Sequence, residues 1–273
     1  MNSDWTENAV VVDGTRLHTY RMGVPDGPPL LLVHGFSDNG LCWLPVAREL
    51  EDRYDIVMPD ARGHGRSARL DPGAQGDMTA DLAGIIRALD LERPIVAGHS
   101  MGAMTAFQLG VRYADLPRAL ILEDPVWRLP DPVAAGESPL QRGNPLELWL
   151  RSLQGLSLEE VIAQNRDQHP TWSDTVLHWW SEGKRQLDLN IFEIGGMGWT
   201  DWQEGVRALA CPTLVVTADP DKGGIVTPEV AQWASGINDY ITVAHISGTG
   251  HHVRFEDHEA YMDAVKAFLS ELD

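Results

Sequence analysis

One serine of this chain lies in a glycine-flanked turn between a strand pattern and a helix pattern. Residues 98–102 read GHSMG; they follow the apolar run 94–97 and precede apolar side chains at helical spacing. A turn this tight strains the backbone of the serine, and side chains on the flanking glycines would collide with the strand and the helix. The pattern predicts that the Ser100 hydroxyl is presented at the carboxyl edge of a sheet, as in a nucleophile elbow. An ordinary turn fits the five residues equally well, so the rest of the chain decides.

Short apolar runs alternate with helical patterns along most of the chain. Such runs predict strands that are buried on both faces, and the stretch 78–89 places its apolar side chains on one helical face. The predicted strands of this type are Leu30–Val33, Asp55–Met58, Ile95–Ala97, Ala119–Leu122, Thr213–Val216 and Ile241–Ile246. The alternation implies an α/β fold with a mostly parallel central sheet, right-handed crossovers and helices on both faces.

The alternation stops between residues 125 and 210, where short helical patterns replace the strands. We therefore predict a core made of residues 1–124 and 211–273, with residues 125–210 inserted as a helical lid over Ser100. Tryptophans concentrate in this lid, where they fit either its own small core or an apolar substrate pocket. They are Trp127, Trp149, Trp172, Trp179, Trp180, Trp199 and Trp202.

The charge balance limits the partners. With 40 acidic and 21 basic residues the formal net charge is -19, which disfavours binding to nucleic acid or to an anionic membrane. The first residues carry no secretory signal, and no apolar stretch approaches the roughly 18 residues of a membrane span. We expect a cytoplasmic protein with a small-molecule substrate and with no cofactor or metal. Cys42 and Cys211 are expected to be buried, reduced thiols.

A serine hydroxyl needs a base to take its proton and an acid to orient that base. His251 is the favoured base, because it stands in a glycine-rich loop after the last predicted strand; His252 is its competitor. For the acid we favour Asp219, which follows strand 213–216 and precedes a proline that stiffens the turn. Asp221, which could pair with a neighbouring lysine, and Asp124, at the end of the preceding strand, remain alternatives.

Negative charge develops on the oxygen of an attacked carbonyl, and N–H donors already in place must receive it. We expect these donors to be the main-chain N–H groups of Met101, directly after the serine, and of Phe36, in the loop after strand 30–33. His34 in the same loop is a candidate for structural hydrogen bonding or substrate contact. Trp127 is a candidate for substrate binding. A carboxylate on the substrate could meet one of three lid arginines, Arg128, Arg142 or Arg151.

Four motifs together resemble the α/β-hydrolase superfamily over nearly the whole chain. They are HGF at 34–36, DxRGHGxS at 60–67, GHSMG at 98–102 and GH at 250–251, in the family's order of serine, acid and histidine. The resemblance implies that Ser100 attacks a carbonyl while His251 takes its proton, and that water then hydrolyses the acyl-enzyme. The family's spacing after strand 213–216 would favour Asp221 over Asp219 as the acid.

The resemblance implies a serine esterase or lactonase, and the tryptophan-rich lid suggests a substrate with an apolar or aromatic portion. C–C bond hydrolases of aromatic degradation pathways and cofactor-free haloperoxidases use the same fold and triad and remain alternatives. Haloalkane dehalogenases and epoxide hydrolases are disfavoured, because they carry aspartate where this chain has Ser100. A non-catalytic ligand sensor is the alternative from another class, and the complete set of serine, histidine and acid argues against it.

Overall fold

An eight-stranded sheet organises the chain. The computed structural model describes residues 5–73, 75–128, 143–194, 197 and 201–272. The strands are β1 (Thr6–Val12), β2 (Thr15–Gly23), β3 (Pro29–Val33), β4 (Asp55–Pro59), β5 (Ile95–His99), β6 (Ala119–Glu123), β7 (Thr213–Thr217) and β8 (Ile241–His245). Their order in the sheet is β1-β2-β4-β3-β5-β6-β7-β8. Only β2 pairs antiparallel, with β1 and β4; the pairs from β4 to β8 are parallel.

Helices cover both faces of the sheet. They are α1 (Leu44–Leu50), α2 (Met78–Ala88), α3 (Met101–Arg112), α4 (Pro145–Gln154), α5 (Leu158–Gln168), α6 (Asp174–Gln186), α7 (Trp202–Ala208), α8 (Pro228–Ile237), α9 (Val253–Glu256) and α10 (His258–Glu271). The core on one face contains side chains of α2, α3 and α8, and the core on the other contains side chains of α1 and α10. Strands β4 to β7 are buried at every residue, which explains their apolar runs. The predicted α/β fold is confirmed.

The described residues between β6 and β7 include helices α4 to α7. Helix α6 packs against α4, against α5 and against the 3-10 turn Gly40–Trp43 that precedes α1. A second 3-10 turn, Leu189–Glu193, follows α6. Helix α7 instead packs against α3 and α8, the helices of one sheet face. The part that stands apart from the sheet layers therefore runs from α4 to the 3-10 turn at 189–193, which we call the α4–α6 segment.

Both cysteines are free and buried, as predicted. Within the described ranges, no helix combines the length and apolarity that a membrane crossing requires.

Candidate active site

Ser100 lies at the sharp turn between β5 and α3, as the pentapeptide predicts. Its backbone has φ 52° and ψ -111°, a conformation that a residue with a side chain rarely adopts. The Ser100 N–H donates a hydrogen bond to the oxygen of Glu123 at 2.9 Å, which ties the turn to the end of the neighbouring strand β6. The residue is 9% exposed. A nucleophilic side chain is thus held in a strained turn at the carboxyl edge of the sheet.

Close packing around the turn requires its two glycines. A Cβ on Gly98 would lie 2.3 Å from the oxygen of Gly102, and a Cβ on Gly102 would lie 2.2 Å from the oxygen of Val33. Both neighbours are main-chain atoms that cannot rotate away. Strand β3, the start of α3 and the serine turn can therefore approach this closely only with glycine at both positions.

Two hydrogen bonds fix the position of His251. Its Nδ1–H donates to Asp124 Oδ2 at 2.5 Å. Its main-chain oxygen accepts from Nε2 of His99 at 2.8 Å, and His99 directly precedes the serine. With Nδ1 engaged as the donor, Nε2 of His251 is the ring nitrogen that can accept a proton. His252 is packed between the rings of His99, Trp172 and Phe255, so it fills space beside the site.

Asp124 is a fully buried carboxylate in a fixed orientation. It directly follows β6, with φ 43°. Its oxygens accept hydrogen bonds from the N–H groups of Ile225 at 2.9 Å and Val226 at 3.0 Å, in addition to His251. These contacts satisfy a buried charge and aim one oxygen at the imidazole. The sequence offered no signal for Ile225 and Val226, because they act through main-chain groups that every residue carries.

Asp219 does not contact His251, which corrects our preferred choice of acid. Its carboxylate accepts from the N–H of Gly248 at 2.7 Å and lies 3.0 Å from Nε2 of His245 on β8. The Gly248 hydrogen bond, followed by His245, lowers the pKa of Asp219. Asp221 lies exposed in the 3-10 turn Pro220–Lys222.

The reason for the correction is the direction of the turn after β7. Main-chain N–H groups of Lys222 and Gly224 both donate to the Asp219 oxygen at 3.0 Å, and this turn sends the Asp219 side chain towards β8. Strand β6 adjoins β5, so the residue after β6 stands next to the serine turn. Of the three candidates, the structure brings Asp124 to His251.

Phe36 and Met101 lie on the two elements that flank the serine. Met101 is the first residue of α3, where helix N–H groups have no partner within the helix. The loop that carries Phe36 passes directly over His99, since a Cβ on Gly35 would lie 2.6 Å from His99 Nδ1. Their proposed role as oxyanion donors is compatible with these positions and stays a prediction.

An apolar cluster surrounds these two residues. Met101 belongs to it, Phe36 packs against it, and the rings of Phe36 and Phe192 meet edge to face at 5.7 Å. The chain after β6 contributes Leu150, Leu187, Ile191, Phe192, Ile194 and Met197. Among the described residues, none of the tryptophans belongs to this cluster. The cluster around Phe36 and Met101 therefore consists of aliphatic, methionine and phenylalanine side chains, whereas the sequence left open a pocket lined by tryptophans.

Tryptophans within the described ranges pack against other parts of the fold. Trp127 is fully buried in the core on the α3 face, edge-on to Phe107 at 5.1 Å and stacked on Trp202 at 5.8 Å. The prediction that Trp127 binds substrate was wrong, because its side chain is packed in the core and is not accessible. Trp172 and Trp180 form a second cluster with Cys42 and Phe255.

Of the two roles considered for His34, the structure shows hydrogen bonding to the main chain and not substrate contact. Its Nδ1–H donates to the oxygen of Gly35 at 2.7 Å and its Nε2 accepts from the N–H of Ala61 at 3.0 Å. Both ring nitrogens thus hold main chain. Of the lid arginines, Arg151 pairs with Glu147 at 2.8 Å and Arg128 is exposed. Arg142 and Trp199 lie outside the described residues.

Burial of imidazoles around the site makes stability depend on pH. Burial lowers the pKa of four histidines: His34, His64, His99 and His252. Burial favours the neutral form of each in the folded state, so its stabilising contribution is complete above the unfolded pKa of about 6.5 and is lost as the pH falls below it, by up to about 1.4 kcal/mol per pH unit for each histidine. Burial raises the pKa of Glu123 and Asp81, and these two carboxyls oppose the effect of the four histidines.

We therefore expect Tm, measured by thermal denaturation, to fall as the pH is lowered from about 7 to about 5.5. A constant Tm over this range would contradict the conclusion that burial lowers the pKa of these histidines.

The fold and the site define a class of protein, namely an α/β enzyme fold with a serine, a histidine and an aspartate at the carboxyl edge of its sheet. A family model described as "Alpha/beta hydrolase family" matches residues 30–264, and the chain belongs to this family.

Curated relatives fall into two kinds of match. The 2-(acetamidomethylene)succinate hydrolase of Mesorhizobium japonicum is 35% identical over 99 residues, so the match spans about a third of each protein, 36% of both. The N-formylmaleamate deformylase of Pseudomonas putida is 27% identical over 269 residues and covers 95% of both chains. Among solved structures, an esterase from Thermogutta terrifontis with malate bound is similar over 99% of both chains, with a TM-score of 0.69 and 25% identity.

Proposed function

We propose that this protein is a serine hydrolase that cleaves small carboxylic esters or lactones with an apolar portion. The observation that carries the proposal is the 2.5 Å contact between His251 Nδ1 and Asp124 Oδ2. His99, which directly precedes the strained turn of Ser100, donates to the main-chain oxygen of His251. Together the three side chains form the nucleophile, base and orienting acid that acyl transfer requires. Asp124 takes the role that we first gave to Asp219.

The reaction then proceeds in two steps. Ser100 Oγ attacks the carbonyl carbon, its proton passes to His251 Nε2, and the carbonyl oxygen becomes an oxyanion that the N–H groups of Phe36 and Met101 receive. The C–O bond to the leaving group breaks as His251 returns the proton to it. Water, deprotonated by His251, attacks the acyl-enzyme and releases the acid and Ser100. Asp124 keeps the proton on Nδ1 throughout.

The apolar cluster around Phe36 and Met101 supports an apolar substrate. Its side chains come largely from the α4–α6 segment and from Ile194 and Met197, which follow it. We propose that these residues form the lid over the serine. A pocket of this kind gains affinity from apolar surface and rejects extended charge. The formal net charge of -19 likewise disfavours a polyanionic substrate.

A second candidate is hydrolysis of an N-acyl amide. The Pseudomonas putida relative that aligns over 95% of both chains acts, by its name, on N-formylmaleamate. The same Ser100, His251 and Asp124 serve an amide if His251 protonates the leaving nitrogen.

A substrate panel distinguishes these candidates. p-Nitrophenyl esters of increasing acyl length, an aromatic lactone and N-formyl and N-acetyl amides would be compared by kcat/KM, alongside labelling of Ser100 by a fluorophosphonate. We expect ester and lactone turnover, with kcat/KM rising by up to about 10-fold for each added methylene until the pocket is full.

Turnover of the amides without turnover of the esters would instead select the second candidate. An unlabelled Ser100 together with no turnover in the folded protein would contradict the proposal; ligand-dependent stabilisation without turnover would then indicate a sensor.

A further inference from the structure

Helix α6 lies directly on the loop that carries Phe36. A Cβ on Gly183 of α6 would lie 2.9 Å from the main chain of Asp38, so the absence of a side chain there allows the close approach. Nδ2 of Asn39 donates to Oε1 of Gln186, also in α6, at 3.1 Å. This helix is thus in direct contact with the segment just after Phe36.

A buried ion pair reinforces the contact. Lys184 of α6 donates from Nζ to Asp38 Oδ1 at 2.6 Å and to the main-chain oxygen of Ser37 at 3.4 Å. Its ammonium lies 4.0 Å from the ring centre of Trp180. The Lys184 side chain is 3% exposed and that of Asp38 is 1% exposed. Buried pairs of this kind contribute little net stability, because desolvation offsets the attraction, but loss of one partner leaves an uncompensated buried charge. The pair therefore opposes separation of helix α6 from the loop.

The loop needs to be held, because its backbone is strained. Ser37, directly after Phe36, has φ 63°, a left-handed conformation for a residue that is not glycine. Such conformations persist when the surrounding structure over-determines them. Lys184 binds the oxygen of this same residue.

The other oxygen of Asp38 faces the rest of the site. Asp38 Oδ2 lies 3.9 Å from Nδ1 of His99 and 3.9 Å from Nη2 of Arg254. Arg254 in turn donates from Nη1 to Glu123 at 2.7 Å. His99 precedes the serine and Glu123 precedes the triad aspartate. One carboxylate therefore links helix α6 to the segments that carry the catalytic groups.

We infer that Lys184 is a positioning residue that holds the Phe36 N–H in the oxyanion hole, through Asp38 and the Ser37 oxygen. The α4–α6 segment thereby completes the catalytic machinery as well as covering it. The inference rests on the proposed acyl-transfer function and deepens it. Because the N–H is needed most when the oxyanion forms, loss of Lys184 affects the transition state more than the bound substrate.

The test is Lys184→Met, which keeps most of the side-chain length and removes the ammonium. With a p-nitrophenyl ester, we expect kcat to fall by up to about 100-fold, the cost of displacing a catalytic group by about 1 Å, and by less than the loss of up to about 1000-fold that follows removal of an oxyanion donor. KM should change by less than about 3-fold, because ground-state contacts remain. Affinity for a trifluoromethyl ketone, whose adduct with Ser100 carries the same oxyanion, should fall by the same factor as kcat.

Matched variants separate positioning from folding. Lys266→Met removes a half-exposed lysine that pairs with Glu49 on the surface and should leave kcat unchanged. Lys184→Met combined with Asp38→Asn removes both buried charges, so it should fold with a Tm near that of the wild type and keep the kcat loss. Lys184→Arg should restore part of kcat.

Two results would overturn the inference while the proposed function stands: a folded Lys184→Met variant with wild-type kcat and ketone affinity, or full recovery of kcat in the double variant. Wild-type protein that neither turns over esters nor is labelled at Ser100 would overturn the proposed function itself, and the inference with it.

Discussion

Ser100→Ala is expected to lower kcat for a p-nitrophenyl ester by about 10⁶-fold, the loss seen when the nucleophile of such a triad is removed. The substitution takes away Oγ and keeps Cβ, so the strained turn and its packing against Gly98 and Gly102 remain. Without Oγ no acyl-enzyme forms, and His251 has no hydroxyl to deprotonate. A residual rate of about 10³-fold over water would remain from the oxyanion donors and substrate binding.

Steady-state kinetics and fluorophosphonate labelling would measure this effect. Ser270, an exposed residue near the end of α10, provides the matched control: Ser270→Ala should keep both turnover and labelling. A Ser100→Ala protein that retained a tenth or more of kcat would show that another residue performs the attack.

The tight turn that carries Ser100 could be predicted from the sequence, because the residues that define it are neighbours in the chain. Residues 94–112 contain the strand pattern, both glycines and the helix pattern, and the geometry of the turn depends on these neighbours alone. The sheet was predictable for the same reason, since strands buried on both faces show as apolar runs. His251 was chosen as the base because it stands in a glycine-rich loop at the end of a predicted strand.

The acid could not be chosen this way. Asp124 and Asp219 both follow buried strands whose carboxyl ends meet at one edge of the sheet, so the sequence offers each of them, with Asp221, as a candidate, and our preference for Asp219 was wrong. What separates them is the main-chain hydrogen bonding of distant segments: residues 225 and 226 hold Asp124 towards His251, whereas residue 248 holds Asp219 towards β8. Such contacts join residues far apart in the chain. Because almost every residue type has a main-chain N–H group, the sequence does not indicate which residues donate.

For a related reason, the tryptophan content of the region after β6 could not decide between a small core and a substrate pocket. An excess of tryptophans indicates packing but does not say against which surface, and Trp127 packs into the sheet core. The pair of Lys184 and Asp38 spans 146 residues of sequence. A lysine in an amphipathic helix usually points to solvent, so nothing in the local pattern indicated that this one is buried.

Asp124→Asn is expected to lower kcat by about 10⁴-fold, as removal of the orienting charge does in triads of this kind, with the fold retained. The new amide oxygen would still accept from the N–H groups of Ile225 and Val226. Its NH₂ group would then face His251 Nδ1 and make that nitrogen an acceptor. The ring proton would move to Nε2, the nitrogen that must take the proton of Ser100, and the base would be blocked.

Asp219→Asn is the matched comparison, because it makes the same chemical change at the end of the next strand. Its amide oxygen can still accept from the Gly248 N–H, and no contact to His251 is lost, so kcat should stay within about twofold of wild type, as substitutions away from the reacting groups generally do. Circular dichroism and Tm would show that both variants fold, and kcat would be measured on the same ester. A large loss in Asp219→Asn with a small one in Asp124→Asn would return the catalytic acid to the end of β7 and would contradict the geometry around His251.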